Sequence, residues 1–303
     1  MIFELTILGS GAALPTLKRN PTSQYVNCNE RHILIDCGEG TQNQLRKFGI
    51  KIQKIKHILI SHLHGDHYFG LMGMLSTMNL LGRTEGLTLY GPKELEEIIH
   101  LQLKASGHKL AFNMNFKETN DKGINLLFED KLIEIHSIPL KHRIKTTGFI
   151  IKEKQKERTI LGEELNEAKL SLTAIPFFRR GENYTDEKGE TFDFEEFTLP
   201  AQEPKTYAYF SDTAVFSDNA KYIIGANVLY HEATFTDFHS DKAKTTFHST
   251  ASQAAEFAKL AQVKKLFLGH LSSRYENSDQ HVIEAKAIFE NVTYVEDGMK
   301  IQV

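Results

Sequence analysis

Cysteine is scarce in this 303-residue chain. Cys28 and Cys37 are the two present, and neither belongs to a CxxC pair. A disulfide framework and a thiolate zinc site are set aside on that ground, and a reducing, cytoplasmic setting is expected. Long apolar runs are missing as well. No segment reaches the ~18 consecutive apolar residues of a membrane span, so no membrane association is expected. Residues 1–8 lack a basic stretch and carry Glu4, which makes them read as a first strand instead of a signal peptide. Strong charge of either sign is absent. The 36 Lys and Arg against 39 Asp and Glu give a formal charge of −3, which argues against broad non-specific nucleic-acid binding and leaves room for a local basic patch. No fixed-period repeat is present.

What is present is an ordinary globular balance, 41% apolar and 25% charged, in a chain long enough to bury a full core without staples. Short apolar, β-branched runs at residues 5–8, 32–35, 58–60, 87–90, 132–138, 207–210, 228–230 and 266–268 predict buried strands. Helices are expected over 41–48, 68–81 and 92–105. A further helix should start at Thr250, where Thr250 and Gln253 match a capping box ahead of Ala251, Ala254, Ala255 and Ala258. Mixed buried strands and helices point to a layered α/β fold in one domain spanning 1–303. Residues 152–204 break this rhythm. They are highly charged and poorly periodic, and read as an insertion projecting from the domain, much of it a solvated excursion.

Histidine carries the chemistry. His62-Leu63-His64-Gly65-Asp66-His67 follows the apolar run 57–60, so several imidazoles enter one small volume, with Gly65 expected to allow a sharp turn. His142, Asp212 and His270 each fall just past a predicted strand, the place where sites assemble in open α/β sheets. Seven His and Asp ligands without cysteine suit a catalytic metal site with an open position, and exceed what one tetrahedral zinc takes. They divide into two Zn²⁺ ions about 3.5–4 Å apart, sharing a carboxylate and a water. His62, His64 and His142 are assigned to the first ion, and Asp66, His67 and His270 to the second, with Asp212 bridging; spacing alone does not fix that division. Mn²⁺ and Fe²⁺ also accept these ligands. Such a pair activates water near neutral pH and stabilises charge on a phosphoryl or acyl group, with Asp66 as a proton acceptor. His248 is a candidate general acid, and Glu232 could orient and charge it. His231 reads as structural.

These residues, with Gly9-Ser10-Gly11-Ala12-Ala13, Asp36-Cys37-Gly38-Glu39-Gly40-Thr41-Gln42, His231-Glu232-Ala233-Thr234 and His248-Ser249-Thr250, resemble the ribonuclease Z family of the metallo-β-lactamase superfamily. The resemblance spans nearly the whole chain. It implies a four-layer αβ/βα sandwich with two zinc ions, usually a homodimer. It implies an endoribonuclease that removes the 3′ trailer from precursor tRNA and leaves a 3′-hydroxyl, with the metal, Asp66, Glu232 and His248 roles falling where they are placed above. Two departures stand out. The family's Pro-x-Lys-x-Arg-Asn loop reads Pro15-Thr16-Leu17-Lys18-Arg19-Asn20 here, with the lysine moved by one. The family's tRNA-gripping arm often has a Gly-Pro element, whereas the insertion at about 152–204, a candidate tRNA-binding arm, offers Ile175-Pro176-Phe177-Phe178-Arg179-Arg180-Gly181. A small-molecule zinc phosphodiesterase of the same fold is the nearest alternative, and a non-catalytic RNA-binding protein is the alternative of another class.

The remaining signals are weaker. Gly9-Ser10-Gly11 has no helix after it and is no dinucleotide fingerprint. Cys37 reads as buried, and Met72, Met74 and Met78 as core or dimer interface. Lys141, Arg143 and Lys145 beside His142 are candidates for phosphate contact or a solvated charge run.

Overall fold

The computed structural model describes residues 2–120 and 122–303. It divides into two compact units, one of residues 1–152 and 205–303 and the other of residues 153–204.

The larger unit holds two seven-stranded sheets. The first contains β1 (Phe3–Gly9), β2 (Ser23–Cys28), β3 (Arg31–Ile35), β4 (His57–Leu59), β5 (Leu87–Gly91) and β6 (Met114–Glu118) in that order, and the last strand of the chain pairs with β1. The second begins with β7 (Asn125–Glu129), β8 (Ile133–Leu140) and β9 (Thr146–Glu153). In the smaller unit β10 (Thr159–Ile160), β11 (Tyr184–Thr185), β12 (Thr191–Phe192) and β13 (Thr198–Leu199) form two short ladders. The second sheet then continues with β14 (Thr206–Phe210), β15 (Val228–Glu232), β16 (Leu266–Gly269) and β17 (Val292–Tyr294), and β18 (Lys300–Gln302) closes the first. β3 to β6 run parallel, as do β14 to β17.

Helices α1 (Thr41–Lys47), α2 (Gly65–Tyr68), α3 (Leu71–Leu80) and α4 (Glu94–Ser106) follow strands of the first sheet. In the smaller unit lie α5 (Gly162–Glu167) and α6 (Ile175–Arg180), and α7 (Ser240–Thr246), α8 (Ala251–Leu260) and α9 (Asp279–Lys286) follow strands of the second sheet. Among the described residues, no helix is long and apolar enough to cross a membrane.

The two sheets face each other across one apolar layer, in which Leu5, Ile7, Ile33 and Ile35 meet Phe149, Tyr207, Tyr209 and Tyr230. The outer face of the first sheet packs α1, α3 and α4 through Leu45, Leu75, Met78 and Ile99. The outer face of the second packs α8 and α9 through Ala254, Ala255, Ala258 and Ala285. The result is the four-layer αβ/βα sandwich that the resemblance implied. Central strands are covered on both faces, which is why β15 is buried at all five positions and why such strands read as unbroken apolar runs. The alanine stripe of α8 lets that helix lie close to the sheet. Its start is the expected capping box: Thr250 Oγ1 accepts from the Gln253 N–H, and Gln253 Oε1 accepts from the Thr250 N–H.

Two expectations change. The helix expected over 68–81 is two helices, because the chain turns between α2 and α3 where Gly70 approaches Gly38; a Cβ on Gly70 would lie 2.2 Å from the Gly38 carbonyl oxygen. Gly65 is required for closeness and not for turn geometry. It has ordinary helical backbone at the start of α2, and a Cβ there would meet the Phe69 ring at 2.3 Å. The segment 153–204 holds apolar residues of its own: Leu165, Ala174, Phe178 and Phe197 are buried together, with the Phe178 and Phe197 rings stacked 5.0 Å apart.

His281 on α9 is fully buried between the Tyr275 and Tyr294 rings, at 4.7 and 5.2 Å. Burial, with a smaller push from Arg19 against the pull of Thr234 and Asp237, holds its pKa down at about 4. The unfolded chain therefore takes up this proton first, and stability is lost as pH falls from about 6.5 toward 4. In His281→Phe the stability difference from the parent should shift by about 2 kcal/mol in the variant's favour between pH 7.5 and pH 5. Denaturant unfolding at the two pH values measures it, and a pH-independent difference would refute the assignment.

Candidate metal centre and active site

The site lies at the carboxyl ends of the strands of both sheets, within the larger unit. β4 delivers His62 and His64 on the loop after it, and α2 presents Asp66 and His67. His142 follows β8, Asp212 follows β14, and His270 follows β16. All seven sequence-nominated ligands converge. His62, His64, His142 and Asp212 form one group with mutually close donor atoms, and Asp66, His67 and His270 form another. Asp212 touches both groups with different oxygens. Its Oδ2 lies 3.5 Å from His62 Nε2 and 3.6 Å from His142 Nε2, and its Oδ1 lies 3.2 Å from His67 Nε2 and 3.0 Å from His270 Nε2.

Second nitrogens fix the first. His142 Nδ1 donates to the Phe247 carbonyl at 3.0 Å, which turns its Nε2 lone pair inward. His67 Nδ1 donates to Asp36 Oδ2 at 2.7 Å. Thr234 donates its hydroxyl to Glu232 Oε2 at 2.5 Å and so accepts from His270 Nδ1 at 2.9 Å, again leaving Nε2 for the cluster. Asp36 is held in turn by the Ser61 N–H at 2.7 Å, the Ser61 hydroxyl at 2.9 Å and the Tyr209 hydroxyl at 2.6 Å.

This donor set suits divalent cations on its own geometry. His62 Nε2 and His142 Nε2 lie 3.0 and 3.3 Å from His64 Nδ1, a spacing at which inward lone pairs repel unless a proton or cation sits among them. His67 Nε2 is buried without a hydrogen-bond partner. Burial pulls the His64 and His142 pKa values down to about 4 and lowers that of His62, so all three stand as neutral imidazoles, the form that binds metal. At His67 burial is outweighed by Asp212, Asp66 and Asp36, which raise its pKa well above the ordinary value. Without a metal, a proton on His67 balances these carboxylates, and a cation would take over that task.

Beside the cluster stands Glu232, at the end of β15 and fully buried. Its Oε1 accepts from His248 Nδ1 at 2.7 Å and from the Thr213 N–H at 2.8 Å. Burial would raise the Glu232 pKa, but His248 outweighs it and sets it at about 2. The converse holds at His248, where burial is outweighed by Glu232 and the pKa stands at about 9. The pair is a carboxylate and an imidazolium at neutral pH. A cavity of about 410 Å³ opens over Asp66, Asp212, His248 and His270 and is also lined by Arg143, Ser272 and Ser273.

Other nominated residues fall elsewhere. His231 is buried, bonds its own neighbour's carbonyl through Nδ1 at 2.7 Å, and belongs to no ligand group. Lys145 pairs with Glu118 at 3.1 Å. In the loop 15–20, Arg19 donates to Ser10 Oγ at 2.8 Å and to the Val295 carbonyl at 2.7 Å, so it braces the loop, and Lys18 is exposed. Asp297 pins the same loop by accepting from Ser10 and Asn20, each through both backbone and side chain, at 2.7 to 2.9 Å. In the smaller unit, Arg179 lies 3.7 Å from Glu157, and Arg180 pairs with Glu182 at 2.7 Å. That unit counts thirteen Asp and Glu against seven Lys and Arg, so more than the whole formal charge of −3 resides there.

The roles of Asp36, Ser61, Thr234 and Asp297 emerge only from the structure. Asp36 had a usable signal, since it sits just past β3 as His142, Asp212 and His270 sit past theirs.

A four-layer αβ/βα sandwich with a His/Asp cluster at its strand ends defines the metallo-β-lactamase fold class, whose members use divalent metal. Superposition agrees: the human short-form tRNase Z matches at a TM-score of 0.72 and 29% identity over 99% of both chains. A metallo-beta-lactamase fold protein of Bacillus subtilis matches at 0.70 over the full length of both, at 17% identity, which speaks for the fold alone. Residues 3–156 match the family model for Anti-Pycsar protein Apyc1, a stretch that ends before Asp212, Glu232, His248 and His270. The chain is 42% identical to the ribonuclease Z of Parabacteroides distasonis over 99% of both chains, and 41% identical to that of Cytophaga hutchinsonii over 100% of this chain and 97% of the other. It belongs to the ribonuclease Z family.

Asp36→Asn keeps the shape but weakens the hold on His67. Metal affinity of the purified protein, titrated with a chelating indicator, should fall about 10–100-fold. Unchanged affinity would remove Asp36 from the metal site.

Proposed function

We propose that this chain is an endoribonuclease that cuts precursor tRNA at its 3′ end, releasing the trailer and leaving a 3′-hydroxyl on the tRNA. The observation that carries the reading is the Glu232–His248 pair opening on the His/Asp cluster, in a chain 42% identical to a ribonuclease Z over 99% of its length. The site would hold two Zn²⁺ ions, one by His62, His64 and His142 and one by Asp66, His67 and His270, with Asp212 available to both groups. When bound, they supply an activated water near neutral pH and stabilise charge on the phosphoryl oxygens.

The residues do the rest. Asp66 is ionised, since His67 and His270 outweigh the burial that would raise its pKa, so it can accept the proton of the attacking water. As the water oxygen bonds to phosphorus, the bond from phosphorus to the ribose 3′-oxygen breaks. His248 donates its Nε2 proton to that leaving oxygen, while Glu232 holds Nδ1 and keeps the ring charged. Arg143 lies in the cavity where it can pair with a phosphate.

Residues 153–204 act as the tRNA-contacting arm. Their acidity means the contact is local, through Phe177, Arg179 and Arg180, and not through a general positive field. The protein works in the cytoplasm as a homodimer, with exposed Phe69, Leu80 and Leu81 beside and on α3 as the apolar contact. A small-molecule phosphodiesterase would need the same metal chemistry but no arm.

Cleavage of a 3′-extended precursor, mapped at nucleotide resolution, should give one cut near the discriminator base. Chelator should abolish it, and His248→Ala should slow it by about 10²–10⁴-fold. A small phosphodiester hydrolysed with no RNA cut would move the function to the alternative.

Excision of the arm is feasible because Lys152 and Thr206 are paired neighbours on β9 and β14, so a short hairpin turn can join them. Replacing residues 154–204 by such a turn should raise KM for the precursor at least tenfold with a small phosphodiester still hydrolysed. Parallel loss of both activities would exclude the arm from substrate binding.

A further inference from the structure

His248 lines two cavities. One is the metal-site cavity; the other, of about 530 Å³, is bounded by Lys141, Val215, Lys244 and Phe247. The second cavity is within the size range of small-ligand sites. Its lining combines an apolar surface from Phe247, Val215 and Ala214 with two exposed lysines, one carboxylate, Asp241, and the polar Ser240 and Gln253. No ion pair of either lysine occurs among the described residues.

Phe247 is the unusual element. It ends α7 with φ of 58°, in the left-handed region where glycine or asparagine is the ordinary choice. A bulky aromatic there costs backbone strain of order 1–3 kcal/mol. Its carbonyl, which accepts from His142, would be supplied by any residue at this position. The ring is what a glycine could not supply.

We infer that this cavity is the subsite for the nucleoside whose 3′-oxygen leaves, the last nucleotide retained by the tRNA, with Phe247 against its base and Lys141 and Lys244 on its 5′-phosphate. The inference rests on the cleavage reading above and follows from its direction. If the tRNA keeps the 3′-hydroxyl, the oxygen protonated by His248 belongs to the upstream nucleoside. In an in-line displacement that oxygen departs on the face opposite the attacking water. The upstream ribose and base must then lie beyond His248 from the attacking water, and a wall that His248 shares outside the metal-site cavity is that of Lys141, Lys244 and Phe247. The apolar face suits a base of any kind, and the lysines suit a phosphate.

The test uses the full-length metal-loaded protein and 3′-extended precursors carrying one abasic residue, either at the last tRNA nucleotide or at the first trailer nucleotide. For the parent, the abasic residue on the tRNA side should slow single-turnover cleavage about tenfold. In Phe247→Leu, which keeps the carbonyl that holds His142, this penalty should shrink to less than threefold, with the trailer-side penalty unchanged. In Lys141→Ala/Lys244→Ala, both surface changes, a neutral methylphosphonate on the 5′ side of the last tRNA nucleotide should lose most of the penalty it imposes on the parent. If both penalties persist undiminished in the variants, the cavity does not hold that nucleoside. If the parent cuts no precursor at all, the cleavage reading itself fails, and the inference falls with it for that separate reason.

Discussion

Everything at this site depends on the burial of carboxylates. Asp36, Asp66, Asp212 and Glu232 all lie within the sandwich at the strand ends, where an uncompensated charge would cost several kcal/mol. Asp212 shows how the fold compensates. One oxygen faces His62 and His142, the other His67 and His270, so a single carboxylate ties together four side chains from three separate stretches of the chain. Those segments belong to both sheets. The balance needs positive charge in a fixed place, which is why the same arrangement that draws protons onto His67 also suits divalent cations.

The charge balance also separates two kinds of histidine. His62, His64 and His142 are dominated by burial and stay neutral, whereas His248, paired with Glu232, stays charged at neutral pH. A neutral ring is the form that can bind metal, and a charged ring the form that can donate a proton. Glu232 serves both sides, since its second oxygen holds Thr234, which orients His270. In the proposed mechanism, metal ligation and leaving-group protonation are thus joined through one buried carboxylate.

This explains what could be read from sequence and what could not. The convergence of the seven nominated residues was legible because residues just past buried strands come together wherever parallel strands are bundled, and strands β3, β4, β14, β15 and β16 are apolar enough to announce themselves. Asp36 sits in the same kind of position but is an ordinary residue in composition, and its partner His67 lies 31 positions away. Asp297 pins Ser10 and Asn20 from 287 and 277 positions away, a link no local pattern carries. The short strands β2 and β18 mix polar with apolar residues and hid for the same reason. In residues 153–204, the buried Leu165, Ala174, Phe178 and Phe197 keep no helical or strand period, so a small folded core read as a charged excursion.

Backbone strain then marks where function outranks stability. Eight described non-glycine residues have positive φ, and four of them, Asp36, Asp212, Phe247 and His270, belong to this site. For aspartate and histidine the left-handed region is tolerable, and at the end of a strand it swings the side chain across the strand ends instead of along a sheet face. Asp36, Asp212 and His270 can therefore be explained by the cluster alone. Phe247 cannot, because a glycine or asparagine would give His142 the same carbonyl at less cost. The strain is retained for the ring itself, which places the specificity of the site on the leaving-group side of His248 as well as at the metals.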